Sequence, residues 1–159
     1  MRKDKVNYYL DIADSVRSRS TCMRRQYGAI IVASDEIVAT GYNGAPRGRK
    51  NCDELGVCVR QELNIPSGER YELCRSVHAE ANAIISASRK ETIGSTLYLA
   101  GRDAATGAYL ASTTPCSMCR RLIINAGIRR VICRTGKGAM TVTNVRDWVF
   151  QDDSLLETI

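Results

Sequence analysis

The chain has 159 residues, enough for one ordinary core and too few for two. Hydrophobic residues make up 44% and charged residues 25%, the balance of a globular domain, and no apolar run approaches the ~18 residues of a membrane span. The net charge of +6 is carried largely by arginine, in one group at Arg17, Arg19, Arg24 and Arg25 and another at Arg47, Arg49 and Lys50. It suits a nucleotide, a nucleic acid or simple solubility. With Trp148 and Phe150 as the only Trp and Phe, aromatic residues do not interleave the basic ones. A small phosphorylated ligand is therefore favoured over a long nucleic acid.

Residues 4–16 place Tyr9, Ile12, Ala13 and Val16 at helical spacing, so an amphipathic first helix is expected. Before it, Met1-Arg2-Lys3-Asp4-Lys5 has charge but no apolar run behind it. It does not read as a secretory signal, and the expected compartment is the cytoplasm. Gly28–Ala33 is an apolar strand, Ser34-Asp35 a turn, and Glu36–Thr40 the hairpin partner. Gly41-Tyr42-Asn43-Gly44-Ala45-Pro46 closes that strand in a glycine-bracketed loop. Residues 44–77 are the least regular part, polar and holding three cysteines; a connection this long calls for internal order or a purpose, and a metal-stabilised loop is expected.

A helix should begin at His78, with Ala81, Ile84, Ile85 and Ser88 on one side. Thr96–Leu99 is a short strand. Pro115 precedes a second helix with Met118, Leu122 and Ala126 four apart, ended by Gly127 as C-cap. Arg129–Cys133 is a further strand. The tail from 141 carries Val142, Val145, Trp148 and Val149 and adds a strand or a helix. The succession predicts one α/β domain across residues 1–159, with helices packed on a mixed sheet.

Two short segments carry the chemistry. His78-Ala79-Glu80 offers an imidazole and a carboxylate, and Pro115-Cys116-Ser117-Met118-Cys119 offers two thiols at CxxC spacing. Both open helices, where unpaired backbone N–H groups favour thiolate. His78, Cys116 and Cys119 make three zinc ligands, and Glu80 stands close enough to take a proton from a water at the fourth position. Glu80 then acts first as base and later as acid. Seven cysteines is an odd number for a disulfide framework, which usually belongs to smaller secreted chains. Cys22, Cys52, Cys58 and Cys74 flank the long loop and suggest a second, structural zinc.

The pairing of H-x-E with P-C-x-x-C resembles the zinc-dependent deaminases, and the likeness runs over residues 6–135. It includes Cys22–Val32, Thr40–Pro46, His78–Ile84 and Thr114–Cys119. The last two blocks belong to the wider superfamily. Gly41-Tyr42-Asn43-Gly44, with Arg24-Arg25 before it and cysteines after it, resembles the deoxycytidylate branch. The resemblance implies a cytidine deaminase-like three-layer α/β/α sandwich and hydrolysis of dCMP to dUMP and ammonia. In that reaction Glu80 would protonate N3 and then the departing amine.

By the same likeness Asn43 would bond the deoxyribose, and the Ala79 backbone the base. The 5′-phosphate needs cationic donors, for which Arg24 and Arg25 stand first and Arg47 behind them. Tyr109, just before the PCxxC loop, is a candidate to pack on the base or sugar. The family implies a homo-oligomer, hexameric in many members, with dCTP and dTTP as effectors. Alternatives left open are a deaminase of another cytosine nucleoside or nucleotide, of a nucleobase or of RNA adenosine. A zinc-stabilised binding module without catalysis is the reading of a different class.

Overall fold

The computed structural model describes residues 1–151. Helix α1 (Lys5–Arg17) starts at Asp4, whose carboxylate accepts the Asn7 N–H at 2.9 Å. Strands β1 (Arg25–Ala33) and β2 (Glu36–Tyr42) form the expected hairpin. Ser34 and Asp35 both take positive φ at its tip, the left-handed pair that a two-residue turn needs to follow strand twist. Strand β3 (Thr96–Asp103) pairs antiparallel with β1. Strand β4 (Arg130–Gly136) lies parallel to β3, and β5 (Ala139–Asn144) runs antiparallel on the outer edge. The sheet order β2-β1-β3-β4-β5 contains one parallel pair and is therefore mixed.

The central strands read as unbroken apolar runs because both sheet faces are covered. Ile30, Val32, Tyr98, Ala100 and Ile132 pack with Tyr9, Leu10 and Ala13 of α1. The alternating residues Ala29, Ile31, Leu97, Leu99, Val131 and Cys133 enter the opposite cluster. There they meet Ala79 and Ala83 of α4 (Ala79–Ile85) and Ile123 and Ala126 of α6 (Ser117–Ala126). This is the expected three-layer α/β/α sandwich. Gly127 caps α6 at φ 77°, as its place after the last helical residue predicts.

Two local readings are corrected, the helix from His78 and the 44–77 connection. The helix from His78 stops at Ile85, and Ser88 opens a separate short helix, α5 (Arg89–Thr92), through a capping box with Glu91. Ile85 accordingly faces outward at 71% exposure, while the alanines of α4 are buried. The tail adds both a strand and a helix: β5, then α7 (Val145–Phe150), which sets Val145 and Trp148 against the core.

The 44–77 connection is also more regular than expected. It contains α2 (Cys52–Leu55), α3 (Val59–Glu62) and a 3-10 turn at Tyr71–Leu73. Its ends are tied by reciprocal bonds, Gly44 N–H to Val77 O at 3.2 Å and Val77 N–H to Gly44 O at 2.8 Å. Protein contacts alone thus give the loop a defined path, so its order does not by itself call for a metal.

Candidate metal centre and substrate cleft

His78 is the N-cap residue of α4, and Cys116 that of α6. Both keep extended φ/ψ, so each side chain leaves its helix start towards the other. The helices are brought together by their common packing on the sheet. Helix α4 lies unusually close to β2: a Cβ at Gly41 would stand 2.4 Å from Ala79 O and 2.4 Å from Ala83 N. Asn82 fastens the contact by donating Nδ2–H to Tyr42 O at 2.8 Å.

His78 Nδ1 lies 3.6 Å from Cys116 Sγ and 3.4 Å from Cys119 Sγ. With Zn–S near 2.3 Å and Zn–N near 2.05 Å, a tetrahedral ion sets N···S edges of about 3.6 Å. The three donor atoms all fall within 4.8 Å of one another, and their spacing fits zinc. The Cys119 amide also reaches Cys116 Sγ at 3.5 Å, a helix-start bond that favours thiolate.

The electrostatics agree with the donor chemistry. The Cys116 thiol is pushed down to about 4, chiefly by its hydrogen bond with Cys119, with His78 adding to it against burial. Cys119 is pushed far up, first by that same shared bond and then by burial and the Glu80 charge. Two thiolates side by side repel unless a cation lies between them. Burial pulls the His78 imidazole down, but hydrogen bonds to Cys116 and Cys74 and the Glu80 charge outweigh it and hold it at about 10. This point of the fold favours positive charge. Glu80, in the first turn of α4, is 5% exposed, and burial pushes its carboxyl up, with Cys116 adding. A raised carboxyl holds a proton more readily than a free one, the direction a proton carrier needs.

One cavity joins His78, Glu80 and Cys116 to Arg24, Arg25 and Asn43. Asn43 is buried, and its amide is largely spent on the backbone that carries the arginines. It donates to Arg25 O at 2.9 Å and accepts the Tyr27 N–H at 2.9 Å and the Ser20 hydroxyl. Ala79 is buried at the start of α4. Arg47 is exposed and is not among the cavity-lining residues. Tyr109 is also outside the cavity: its ring lies 3.8 Å from the Arg102 guanidinium, which is itself held by Asp14.

Tyr27, Arg60, Ser67, Tyr71, Ser76 and Thr114 line the cavity without having been singled out from the sequence. Tyr27 was within reach of the alternation rule, since it shares a face with Ala29 and Ile31. Tyr71 presents its ring edge-on to His78 at 5.1 Å, and nothing in the loop sequence announces that contact.

Of the four loop-flanking cysteines, Cys22, Cys58 and Cys74 line the same cavity. Burial pushes the Cys52 thiol up, and the charges of Cys22, Cys74 and Cys58 add to it, so the four are neighbours. Cys74 leans towards His78, which helps hold its thiol down against burial. Among the described residues, His78, Cys116 and Cys119 are the one set of such donors gathered within 4.8 Å. The four thiols do not form a second.

The family model for the cytidine and deoxycytidylate deaminase zinc-binding region matches residues 3–135. The chain belongs to the cytidine and deoxycytidylate deaminase family. Among its deaminase relatives, the deoxycytidylate deaminase of Mycobacterium phage D29 is 36% identical over 136 residues, covering 82% of this chain and 94% of the phage protein. The deoxycytidylate deaminase of Schizosaccharomyces pombe is 35% identical over 129 residues, and the match spans only 36% of that longer protein. The crystal structure of dCMP deaminase from cyanophage S-TIM5, in complex with dCMP and dUMP, aligns with a TM-score of 0.59 at 25% identity. That alignment covers 95% of this chain and 93% of the cyanophage chain. Among the described residues, no helix of this chain is long and apolar enough to cross a membrane.

Proposed function

We propose that this chain hydrolyses dCMP to dUMP and ammonia. The observation that carries the reading is the meeting, in one cavity, of a three-donor metal set, a buried Glu80 and the arginines Arg24 and Arg25. The phage relative that is matched over nearly its whole length bears the same activity in its name.

His78, Cys116 and Cys119 would hold the zinc, which when bound would supply a Lewis acid that makes water nucleophilic near neutral pH. Glu80 takes a proton from the attacking water as its oxygen bonds C4, and passes that proton to N3 of the ring. A second proton, from the new C4 hydroxyl, travels by way of Glu80 to the amine. The C4–N bond breaks, ammonia leaves, and the carbonyl of dUMP forms. Asn43, with one N–H beyond its backbone bonds, is assigned to the deoxyribose, and the Ala79 backbone to the base. Arg24 and Arg25 are assigned to the 5′-phosphate.

An ammonia-release screen over dCMP, deoxycytidine, dCTP, guanine and adenosine-containing RNA tests the reading. Selective turnover of dCMP is expected. Exclusive use of dCTP would retract the monophosphate but keep the chemistry. Inactivity on all, with zinc bound, would favour a binding module.

Residues 1–159 are read as one deaminase domain. The neighbouring thiols Cys22, Cys52, Cys58 and Cys74 support a second zinc that draws them closer, which two zinc ions per chain in metal analysis would bear out and one would refute. Homo-oligomeric assembly, as a hexamer, and control by dCTP and dTTP complete the reading. Gel filtration and rate measurements with each nucleotide test them.

A further inference from the structure

Arg60 is the one arginine lining the cavity that is almost wholly buried, at 7% exposure. It sits on α3, within the connection between β2 and α4. Its Nη2 donates to Pro66 O at 2.9 Å and Glu69 O at 2.8 Å, so one edge of the guanidinium stitches the loop. The guanidinium lies 4.4 Å from the centre of the Tyr71 ring, and that ring meets His78 edge-on. Nε is shielded from solvent and has no hydrogen-bond partner. Among the described residues no carboxylate pairs with Arg60; the anionic group near it is the Cys74 thiol, whose ionised form its charge favours.

A buried cation with an unspent donor is costly unless an anion joins it. A guanidinium whose Nη2 is already fixed keeps the rest of its planar fork oriented for a tetrahedral oxyanion. The cavity it lines also carries Arg24 and Arg25, against Glu80 as its one lining carboxylate. Three guanidiniums from two segments of the chain thus share one cleft.

We propose that Arg60 binds the 5′-phosphate of the substrate, as a third guanidinium supplied by the inserted connection. This rests on the reading of the chain as a nucleotide deaminase. Arg24 and Arg25 belong to β1 and the residue before it, whereas Arg60 belongs to a loop whose path it also secures through Pro66 and Glu69. Phosphate recognition and the ordering of this wall of the cleft therefore share one side chain.

The test compares Arg60→Gln and Arg60→Lys with the wild type, on dCMP and deoxycytidine, with zinc content and melting temperature as controls. For Arg60→Gln, kcat/KM on dCMP is expected to fall about 10- to 100-fold relative to that on deoxycytidine, the scale of a lost charge-assisted hydrogen bond. Arg60→Lys, which keeps the charge without the fork, should recover part of that ratio. Equal losses on both substrates would reduce Arg60 to a loop stitch and overturn the proposal.

Should neither variant fold, a crystal structure of the wild type with dUMP decides. A phosphate oxygen within about 3.2 Å of an Arg60 nitrogen supports the assignment, and separation beyond hydrogen-bond reach refutes it. The two readings fail separately. A wild type that deaminates no cytosine compound retracts the enzyme assignment. A dCMP-selective wild type with an unchanged ratio in the variants retracts Arg60 alone.

Discussion

Replacing Gly41 by alanine tests how the fold aims the metal donors. The added Cβ would stand 2.4 Å from both Ala79 O and Ala83 N, and 3.0 Å from the Asn82 carbonyl carbon. Ordinary contact begins at 3.4 Å, so the shortfall is about 1.0 Å against backbone atoms, which cannot rotate away. Helix α4 must retreat from β2 by about that distance, carrying His78 and Glu80 with it. Overpacking of this kind costs about 1–3 kcal/mol, and a 1 Å misplacement of catalytic groups costs about 100-fold in rate. Gly41→Ala should therefore lower the urea midpoint, weaken zinc retention and cut kcat/KM on dCMP by about two orders of magnitude. Gly136→Ala serves as control, since its Cβ would meet Ala139 Cβ at an ordinary 3.5 Å. Wild-type midpoint, zinc content and turnover in Gly41→Ala would refute the claim that this contact sets the site.

Glu80→Gln should retain zinc, because the three donors are intact, yet lose at least about 100-fold in kcat, the scale of general acid–base catalysis; metal analysis with a rate assay checks both halves. Substituting Arg24 or Arg25 should harm dCMP turnover far more than deoxycytidine turnover, and a competition assay with both substrates reads the difference. Cys119→Ser should lose zinc and activity together, as seen by atomic absorption and ammonia release. Asp14 is destabilised as a carboxylate by burial, but hydrogen bonds from Arg102 and Arg17 outweigh this and hold its carboxyl below the usual range. A group depressed on folding stabilises above its unfolded value near pH 3.9 and loses that contribution as pH falls through the folded value. The melting-temperature gap between wild type and Asp14→Asn should be full at pH 7 and close below about pH 4.

Much of the metal set was legible because its residues lie in two short segments whose spacing mirrors their chemistry. The sandwich was legible too, since Gly28–Ala33, Thr96–Leu99 and Val131–Cys133 are apolar runs that only a doubly covered sheet accommodates. Other features come from contacts that no local pattern encodes. Arg60 reaches carbonyls six and nine residues away, and Gly44 pairs with Val77 across the whole connection. Tyr109 was drawn in by its place just before the PCxxC loop and Arg47 by its charge; the structure sets the first against Arg102 and leaves the second exposed, both outside the cavity lining. Ser88 was misread as part of a longer helix although Glu91, three residues on, already marked a new start.

The parallel pairing of β3 with β4 has a consequence for how the chain matures. His78 and the two thiols are separated by 38 and 41 positions; α4 precedes β3 in the chain, and α6 is the crossover that carries it from β3 to β4. Long-range parallel pairing is slow to form, so the donors should meet late, after most of the chain has settled. Metal uptake then works as an inspection step: a polypeptide with its last strands unplaced would offer the ion one imidazole or two sulfurs, but not all three. Pulse-labelling with a zinc indicator during refolding should accordingly find uptake lagging behind the burial of α1.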